Sequence, residues 1–291
     1  MDERFRQQSL AGDHLAGAQA ATGLPGFGTA VVALIVGLAL ALLITGLVHI
    51  VTQSLTAALL LGEVGFLAGV AALLVARGHR LTDTLRIRPV PAGGYAPALK
   101  LGVALLLANV AATVLLGPPA QDVEFVISAD SLVERLALVI GVAIGAPVIE
   151  EALFRGLLQG ALERRLRPWF AISIAGSAFA VLHGPAGALF FFFWSLPVGW
   201  VTWRFGSIGP AVVVHAINNL VGLMGLFAAG QIEAKSLEHG AGARVIAVLL
   251  LAAAAMWTVR LCGRIGRLTA AGPEPPSEPQ RWPGPQSSGV V

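Results

Sequence analysis

The segment GTAVVALIVGLALALLITGLVHI, residues 28–50, decides the fold class of this chain. It holds no Asp, Glu, Lys or Arg and exceeds the about 20 apolar residues that a helix needs to cross a bilayer. Seven further apolar segments follow along the chain. The eight predicted helices are 28–50, 55–76, 96–117, 132–153, 169–184, 187–204, 208–229 and 243–262. We therefore predict an all-α, polytopic transmembrane helix bundle of about eight helices.

The composition supports a membrane protein over a soluble one. Of 291 residues, 56% are hydrophobic and only 12% are charged, which is more apolar material than a soluble core of this length can bury. The calculated pI of about 9.7 raises the question of whether the protein binds nucleic acid. The Arg residues fall at helix ends, however, as orientation signals do, so we exclude nucleic acid and predict the lipid bilayer as partner. The single cysteine, Cys262, excludes an internal disulfide and a Cys-rich metal cluster.

The distribution of Arg also predicts the orientation. Basic residues follow the second, fourth, sixth and eighth predicted helices, so those ends are expected to face the cytoplasm. The loop 118–130 carries three acidic residues and no Lys or Arg, which suits the opposite side. With eight helices both termini are cytoplasmic, in an integral protein that we place in a bacterial plasma membrane.

The same apolar and charge patterns divide the chain into three regions. Residues 1–26 are expected to form a cytoplasmic N-terminal segment, and residues 27–268 a transmembrane domain whose motifs lie in 130–230. The first apolar segment is too long for a signal-peptide core and is expected to be a retained anchor. Residues 269–291 are rich in Pro and lack apolar periodicity, which predicts a disordered C-terminal tail.

The stretch GAPVIEEALFRGLL, residues 145–158, places three charges inside an apolar segment. An ionisable group in the hydrocarbon region costs about 2.5 to 3.5 kcal/mol on insertion scales, so each one requires a reason. Residues four apart share a helix face, so Glu151 is expected to pair with Arg155. Glu150 points about 100° away, toward another neighbour. A purely structural ion network between helices remains an alternative for all three.

Further polar groups follow on later helices. His183 ends the segment SAFAVLHG, with Phe179 one turn before it on the same face, and the pair His215 and Asn219 lies four apart in HAINN. From 1.5 Å of rise per residue, Glu150 and His183 lie about 20 Å from the cytoplasmic ends of their helices, and Asn219 about 18 Å. We therefore expect these groups to converge at one depth. Taken alone, the His215 and Asn219 pair also fits a hydrogen bond to a neighbouring helix.

A cluster of this kind suits hydrolysis inside a membrane, which needs a water, a base and donors for the oxyanion. Glu150 is the candidate base and His183 a group that holds the same water. His215 and Asn219 are candidate oxyanion donors. Glu150, His183 and His215 are also candidate zinc ligands, so the cofactor is either none or Zn. Neither H-E-x-x-H nor G-x-S-x-G occurs, which argues against zincin-type and rhomboid-type proteases.

The ordered motifs resemble those of the CAAX-protease and bacteriocin-processing (CPBP, or Abi) family, which includes the type II CAAX prenyl endopeptidases. The family motifs E-E-x-x-x-R, F-x-x-x-H and H-x-x-x-N read here as EEALFR, FAVLH and HAINN. The resemblance spans about residues 130–230 and implies an intramembrane endopeptidase. It implies that Glu150 and His183 activate water and that His215 and Asn219 stabilise the oxyanion. Glu151, Arg155 and Phe179 would support the site.

Two other functions fit the same residues. A member of the family with intact motifs can act as a scaffold or bacteriocin-immunity protein, and buried Glu and His residues also mark transporters. Glu63 in LLLGEVGFL best suits a transporter, or else forms a hydrogen-bonded, neutral interhelical acid.

The expected substrate is a membrane-associated protein or peptide, with lipidation left open. The run FFFFW, residues 190–194, is interpreted as lipid-facing or packing material, with the lining of a substrate groove as the alternative. The glycines at 62, 65 and 69 are interpreted as a helix-packing surface.

Overall fold

A computed structural model describes residues 23–90, 92–116, 131–185, 187–229 and 240–270. The described residues form helices and no strand, which confirms the predicted all-α bundle. The eight main helices are α1 (Phe27–Thr52), α2 (Leu55–Ala76), α3 (Tyr95–Leu116), α4 (Leu132–Glu163), α5 (Pro168–Leu182), α6 (Ala188–Phe205), α7 (Gly209–Ala229) and α8 (Ala241–Ala270). Two short helical pieces, Leu81–Thr84 and Ala92–Gly94, lie between α2 and α3.

Helix α4 is longer than the predicted apolar segment and changes its winding twice. The apolar segment predicted near 132–153 forms its first part, and the helix continues to Glu163. This is the cytoplasmic end from which the predicted depth of Glu150, about 20 Å, is counted. Residues Gly141–Gly145 and Glu151–Leu158 are π-helical, with α-helical turns before, between and after them. Such wider turns are rare and are frequently found at functional sites.

Not every helix is long and apolar enough to cross a bilayer alone. Among the described residues six helices are, namely α1, α2, α3, α4, α7 and α8. The predicted bundle of about eight helices is present, and α5 and α6 are the two main helices that fall short of this length or apolarity. Helix α5 has 15 residues and ends at Leu182. The expected break at Gly184 is present, since Gly184 adopts a φ of +83°, a value that favours glycine.

Helices α1 and α2 form a tightly packed hairpin. A Cβ added at Gly69 would lie 2.8 Å from the Cα of Gly37, and one at Gly65 would lie 2.5 Å from the Ile44 side chain. The glycines of α2 therefore form the predicted packing surface. The main buried cluster draws its members from α1, α2 and the helices from α3 to α8, and α4 lies in its middle.

Contacts between helix ends bring five chain segments together at one end of the bundle. Arg86 forms an ion pair with Glu163, and Arg164 donates to the carbonyl of Pro25. The amide of Ile208 donates to the carbonyl of Arg86 at 3.1 Å. In addition, Arg204 Nη2 lies 2.5 Å from the carbonyl of Gly266. The ends that basic residues mark therefore share one side of the molecule, while their cytoplasmic location stays a prediction.

Some predictions concern residues outside the described ranges. These are most of the N-terminal segment 1–26, the acidic loop 118–130 and nearly all of the tail 269–291.

Candidate active site

A fully buried ion pair on α4 forms the base of the site. The Arg155 Nε lies 3.3 Å from Glu151 Oε2, and both side chains are at most 1% exposed. The predicted pairing across one turn is therefore present. Both residues belong to the π-helical segment of α4. Because two charges at this depth are costly unless they are paired, the contact is needed for either residue to be charged there.

The Arg155 guanidinium is held by an aromatic ring as well as by Glu151. Its Cζ lies 4.3 Å from the centroid of the Phe179 ring. Nη1 and Nη2 have no hydrogen-bond partner among the described residues. A cation over a ring in a desolvated place gains about 2 kcal/mol, so Phe179 replaces part of the missing hydrogen bonding.

His215 on α7 contacts both glutamates through different ring nitrogens. Nδ1 lies 2.9 Å from Glu151 Oε1, and Nε2 lies 3.6 Å from Glu150 Oε2. A carboxylate only accepts, so the 2.9 Å hydrogen bond places a proton on Nδ1. The neutral form of His215 therefore presents an unprotonated Nε2 to Glu150, and only the doubly protonated form donates from Nε2.

His183 lies where α5 ends, and the carbonyl of the preceding turn orients it. Its Nδ1 donates to the carbonyl oxygen of Phe179 at 2.9 Å, because a carbonyl can only accept. Nε2 is then left to face Glu150 Oε1 at 4.0 Å. The imidazole packs between the rings of Phe179 and Phe191, with both centroids 4.3 Å away.

Glu150 is the point where the groups converge. Its carboxylate is faced by the Nε2 atoms of His183 and His215, which come from two other helices. The side chain is 19% exposed, whereas that of Glu151 is fully buried. Glu150 Oε2 is nevertheless buried and has no hydrogen-bond partner in the described part of the chain. The predicted convergence of Glu150, His183 and His215 is therefore found in the structure.

Asn219 is the predicted site residue that stands apart. Its Nδ2 donates to the carbonyl of Val142 at 2.9 Å, in the first π-helical segment of α4. No hydrogen bond joins it to the two glutamates or the two histidines within the described residues. It remains one turn from His215 on the same helix, on the side of α7 that packs against α4.

The comparisons agree with the motifs. Residues 132–221 match the family described as "Type II CAAX prenyl endopeptidase Rce1-like". This stretch starts at α4 and contains all the residues of the site. The match covers less than half of the chain, so it is a likeness of this region to that family. No curated protein and no solved structure matches the chain. The matched region supports, at the level of the family, a similarity to CAAX-type intramembrane proteases.

Two aromatic residues of the run FFFFW belong to the site, and the sequence did not single them out. The run FFFFW was interpreted as lipid-facing or packing material, and Phe193 is indeed 60% exposed. Phe191 and Trp194, three positions apart on α6, instead line the site. The Trp194 ring lies 4.8 Å from that of His215, and Phe191 packs on His183. An uninterrupted aromatic run has no periodicity, so the sequence carries no signal for which face turns inward.

Asn218 was also missed. It is buried and donates from Nδ2 to the carbonyls of Gly102 at 3.1 Å and Val214 at 2.9 Å. It thereby ties α7 to α3 and holds the helix that carries His215. The neighbouring asparagine in HAINN attracted the functional interpretation, and nothing in the sequence distinguishes a second, structural amide.

The predicted zinc ligands do not form a metal centre as they are placed. No group of three or more His, Cys, Asp or Glu side chains in the described ranges is arranged to hold a metal ion. The Nε2 atom of His215 lies 3.6 Å from Glu150 Oε2, and the Nε2 atom of His183 lies 4.0 Å from Glu150 Oε1. The two histidines thus face different oxygens of the carboxylate. We therefore derive no step through zinc, and metal dependence is tested by experiment below.

An apolar cavity of about 430 Å³ lies next to the site. It is lined by α1, α2, α4 and α5, and its walls include Leu34, Phe66, Phe154 and Ala178. Phe154 packs edge-on against Phe179 with centroids 5.5 Å apart. One aromatic contact therefore separates the cavity from the carboxylates and histidines.

Proposed function

We propose that this protein is an endopeptidase that hydrolyses peptide bonds of membrane-associated proteins or peptides through a water activated by Glu150. The observation that carries the proposal is the position of Glu150, whose carboxylate is faced by the Nε2 atoms of two histidines. The Glu150 side chain is 19% exposed, and its Oε1 faces His183, so this is the oxygen that accepts a proton from water.

The reaction starts from a water held between Glu150 and His183. The Nε2 of His183 accepts one hydrogen bond from this water, because its Nδ1 proton is committed to the carbonyl of Phe179. Glu150 takes the other proton while the water oxygen bonds to the carbonyl carbon of the substrate. When the C–N bond breaks, Glu150 returns that proton to the amine nitrogen that leaves. Glu150 thereby acts first as base and then as acid.

The negative oxygen of the intermediate needs donors, which we assign to His215 and Asn219. His215 donates from Nε2 when it is doubly protonated, and Glu151 at 2.9 Å balances that charge. Glu150, Glu151, Arg155 and protonated His215 then form a set with no net charge, which a low-dielectric site favours. Asn219 uses one amide hydrogen on Val142 and keeps the second for the oxyanion.

We propose further that the apolar cavity holds a lipid group attached to the substrate. Its walls are aliphatic and aromatic, and Phe154 connects it to Phe179 beneath the histidines. A prenyl chain beside the scissile bond would bury apolar area there, at about 25 cal/mol for each Å².

The central experiment compares wild-type protein and Glu150→Gln in liposomes. The probe is an internally quenched peptide that ends in a farnesylated cysteine followed by three residues. Glu150→Gln keeps the size of the side chain but removes its basicity, so turnover is expected to be lost while the melting temperature is retained. Asp83→Asn is the matched control, since it neutralises a half-exposed carboxylate outside the site. Cleavage by Glu150→Gln at the wild-type rate would refute the mechanism and favour the scaffold or immunity function.

The lipid proposal is tested with the same peptide with and without its farnesyl group. Ala178→Phe fills part of the cavity, so it is expected to raise KM for the farnesylated peptide and leave kcat nearly unchanged. Ala253→Phe makes the same substitution at an exposed position of α8 and is expected to change neither constant. Equal KM values for the two peptides in the wild-type protein would show that the cavity serves another purpose.

A further inference from the structure

Three arginines share one exposed face of α8 near its C-terminal end. Arg260, Arg264 and Arg267 are spaced by four and three residues, so their side chains leave the helix within about 60° of one another. All three residues are exposed. The helix packs through a different face, where Leu261 and Ile265 are at most 5% exposed. The arginine face, defined by these three arginines, therefore takes no part in holding the bundle together.

The arginine face has no counter-charge in the described part of the chain. None of its side chains forms an ion pair or a hydrogen bond there. The acidic residues that the structure describes at this end of the bundle are already paired, since Glu163 binds Arg86 and Asp83 lies 3.7 Å from Arg88. Like charges three and four residues apart on a helix repel one another. An anion from outside would therefore stabilise this face.

Arg204 of α6 shows how the same end of α8 binds an arginine that belongs to the packing. Its Nε donates to Thr269 Oγ1 at 2.7 Å, and its Nη2 donates to the carbonyl of Gly266 at 2.5 Å. Its guanidinium also lies 5.3 Å from the centroid of the Trp203 ring. These contacts use the other side of the same turns of α8. The arginine face has no comparable contacts within the described ranges.

Trp257 extends the arginine face by one turn toward the middle of α8. It lies three residues before Arg260, rotated by about 60° from it, and is 36% exposed. Tryptophan rings collect at the boundary between hydrocarbon and head groups. The 30 residues of α8 rise about 45 Å, which exceeds the about 30 Å of a hydrocarbon core. The arginine-bearing end of α8 therefore reaches the layer in which the lipid phosphates lie.

We propose that the arginine face and Trp257 form a binding site for anionic phospholipid. Guanidinium groups bind phosphate oxygens through paired N–H donors, and the indole ring contacts the lipid where the head group meets the acyl chains. A zwitterionic lipid carries the same phosphate beside an ammonium group that cancels its charge, so the site prefers lipids with net negative charge. The site lies on α8, away from Glu150, and the proposal does not depend on the proposed protease activity.

The acidic residues that follow α8 in the sequence are the other possible occupant. Glu274 and Glu278 come shortly after Arg267. Two carboxylates can neutralise at most two of the three arginines. They also leave the exposed Trp257 ring without a partner, whereas a lipid contacts the ring and the guanidinium groups together. The combination of charge and aromatic surface therefore favours lipid.

The test measures lipid binding by the full-length protein and needs no substrate. Purified protein in detergent is titrated with phosphatidylglycerol or phosphatidylcholine of the same acyl chains, and bound lipid is counted by native mass spectrometry. The wild-type protein is expected to bind phosphatidylglycerol more tightly. One arginine near an anionic lipid contributes about five-fold in affinity. Arg264→Gln is therefore expected to weaken phosphatidylglycerol binding about five-fold, and the triple change Arg260→Gln, Arg264→Gln and Arg267→Gln about 100-fold.

Two further variants separate charge on the arginine face from net charge. Replacing the three arginines by lysine keeps the charge and is expected to retain most of the preference for phosphatidylglycerol. The matched control is Arg77→Gln, Arg80→Gln and Arg165→Gln, which removes three exposed arginines elsewhere at this end of the bundle and is expected to keep the wild-type affinity. An equal loss in both triple glutamine variants would show that net charge alone attracts the lipid, and would overturn the site.

The remaining outcomes are also decisive. Equal binding of phosphatidylglycerol and phosphatidylcholine by the wild-type protein would overturn the proposal. The double variant Glu274→Gln and Glu278→Gln is expected to leave lipid affinity unchanged. A rise in affinity there would show that these carboxylates occupy the arginine face in place of lipid. If the triple glutamine variant does not fold, Arg264→Gln decides, and an unchanged affinity in that variant contradicts the proposal.

Discussion

Glu151 Oε1 lies 2.9 Å from His215 Nδ1, so a carboxylate of α4 decides which nitrogen of a histidine on α7 carries the proton. The two residues are 64 positions apart, and both are buried. Glu151 therefore serves two neighbours, since its second oxygen lies 3.3 Å from Arg155. The residue that the sequence assigns to support thus orients one of the proposed oxyanion donors.

Arg155→Ala is expected to destabilise the protein by about 3 to 5 kcal/mol, because it leaves the fully buried Glu151 without its cation. The measurement is thermal unfolding in detergent together with folded yield. Arg88→Ala is the control, since its pair with Asp83 spans 3.7 Å and is half exposed. Normal stability with complete loss of peptide cleavage would show that Arg155 takes part in the reaction and does not only support the site.

Asn219→Ala is expected to lower kcat about 100- to 1000-fold, the loss seen when one oxyanion donor is removed. Asn218→Ala should instead reduce the melting temperature and leave kcat close to wild type, because its amide ties α7 to α3. In combination with Glu150→Gln, Asn219→Ala is expected to add little, since little oxyanion forms without a base. Equal kcat values for Asn219→Ala and wild type would remove Asn219 from the mechanism.

Gly156→Ala is expected to destabilise the π-helical part of α4 by about 1 to 3 kcal/mol through overpacking. A Cβ there would lie 2.5 Å from the carbonyl oxygen of Leu85, which is backbone and has little freedom to move. Gly225→Ala in α7 meets no atom within 4 Å and should raise stability by up to about 1 kcal/mol. In thermal unfolding, Gly156→Ala is expected to lower the melting temperature and Gly225→Ala to raise it. A change of the same sign in both variants would contradict the close approach of Leu85 to Gly156.

Chelation tests the role of metal. Because the donors are not arranged to hold a metal ion in the described chain, activity on the farnesylated peptide is expected to persist after dialysis against a strong chelator. Added zinc should give no increase. Loss of activity on chelation, with recovery in zinc, would show that Glu150, His183 and His215 rearrange into a zinc site.

Cysteine labelling tests the orientation. In a Cys262→Ala background, an impermeant reagent applied to intact cells is expected to reach a cysteine at position 122 and not one at position 165. Position 165 follows directly on Arg164, whose contact with Pro25 lies at the end of the bundle where basic residues collect. Labelling at position 165 and not at position 122 would show that the protein has the opposite orientation in the membrane.

The sequence was sufficient for the parts of the site that depend on local periodicity. The spacing of Glu151 and Arg155 predicts a shared helix face, and the helix break at Gly184 follows from its residue type. Matching depths along α4, α5 and α7 predict the meeting of Glu150 with His183 and His215. The first two steps use only residues within one helix, and the third adds the regular rise of a helix and the orientation predicted for α4, α5 and α7.

Contacts that depend on helix rotation were not predictable. Nothing in FFFFW indicates that Phe191 and Trp194 turn inward while Phe193 turns out. The π-helical turns of α4 change the angle between successive side chains, and the bond of Asn219 to Val142 depends on one of them. Tertiary packing decides these features. In a largely apolar helix many rotations about the helix axis are equivalent, so the sequence does not select one of them.

The early end of α5 also concerns hydration. A helix of 15 residues rises about 22 Å, which is short of the about 30 Å of a hydrocarbon core. Its last turn therefore exposes carbonyl groups at a depth where lipid offers no donor, and the amides of His183 and Gly184 satisfy only those of Ala180 and Val181. Backbone groups without hydrogen-bond partners are tolerated at that depth where they line a water-filled cavity. The truncated helix thus provides a reason for water to enter the bilayer beside His183, where the proposed hydrolysis would consume it.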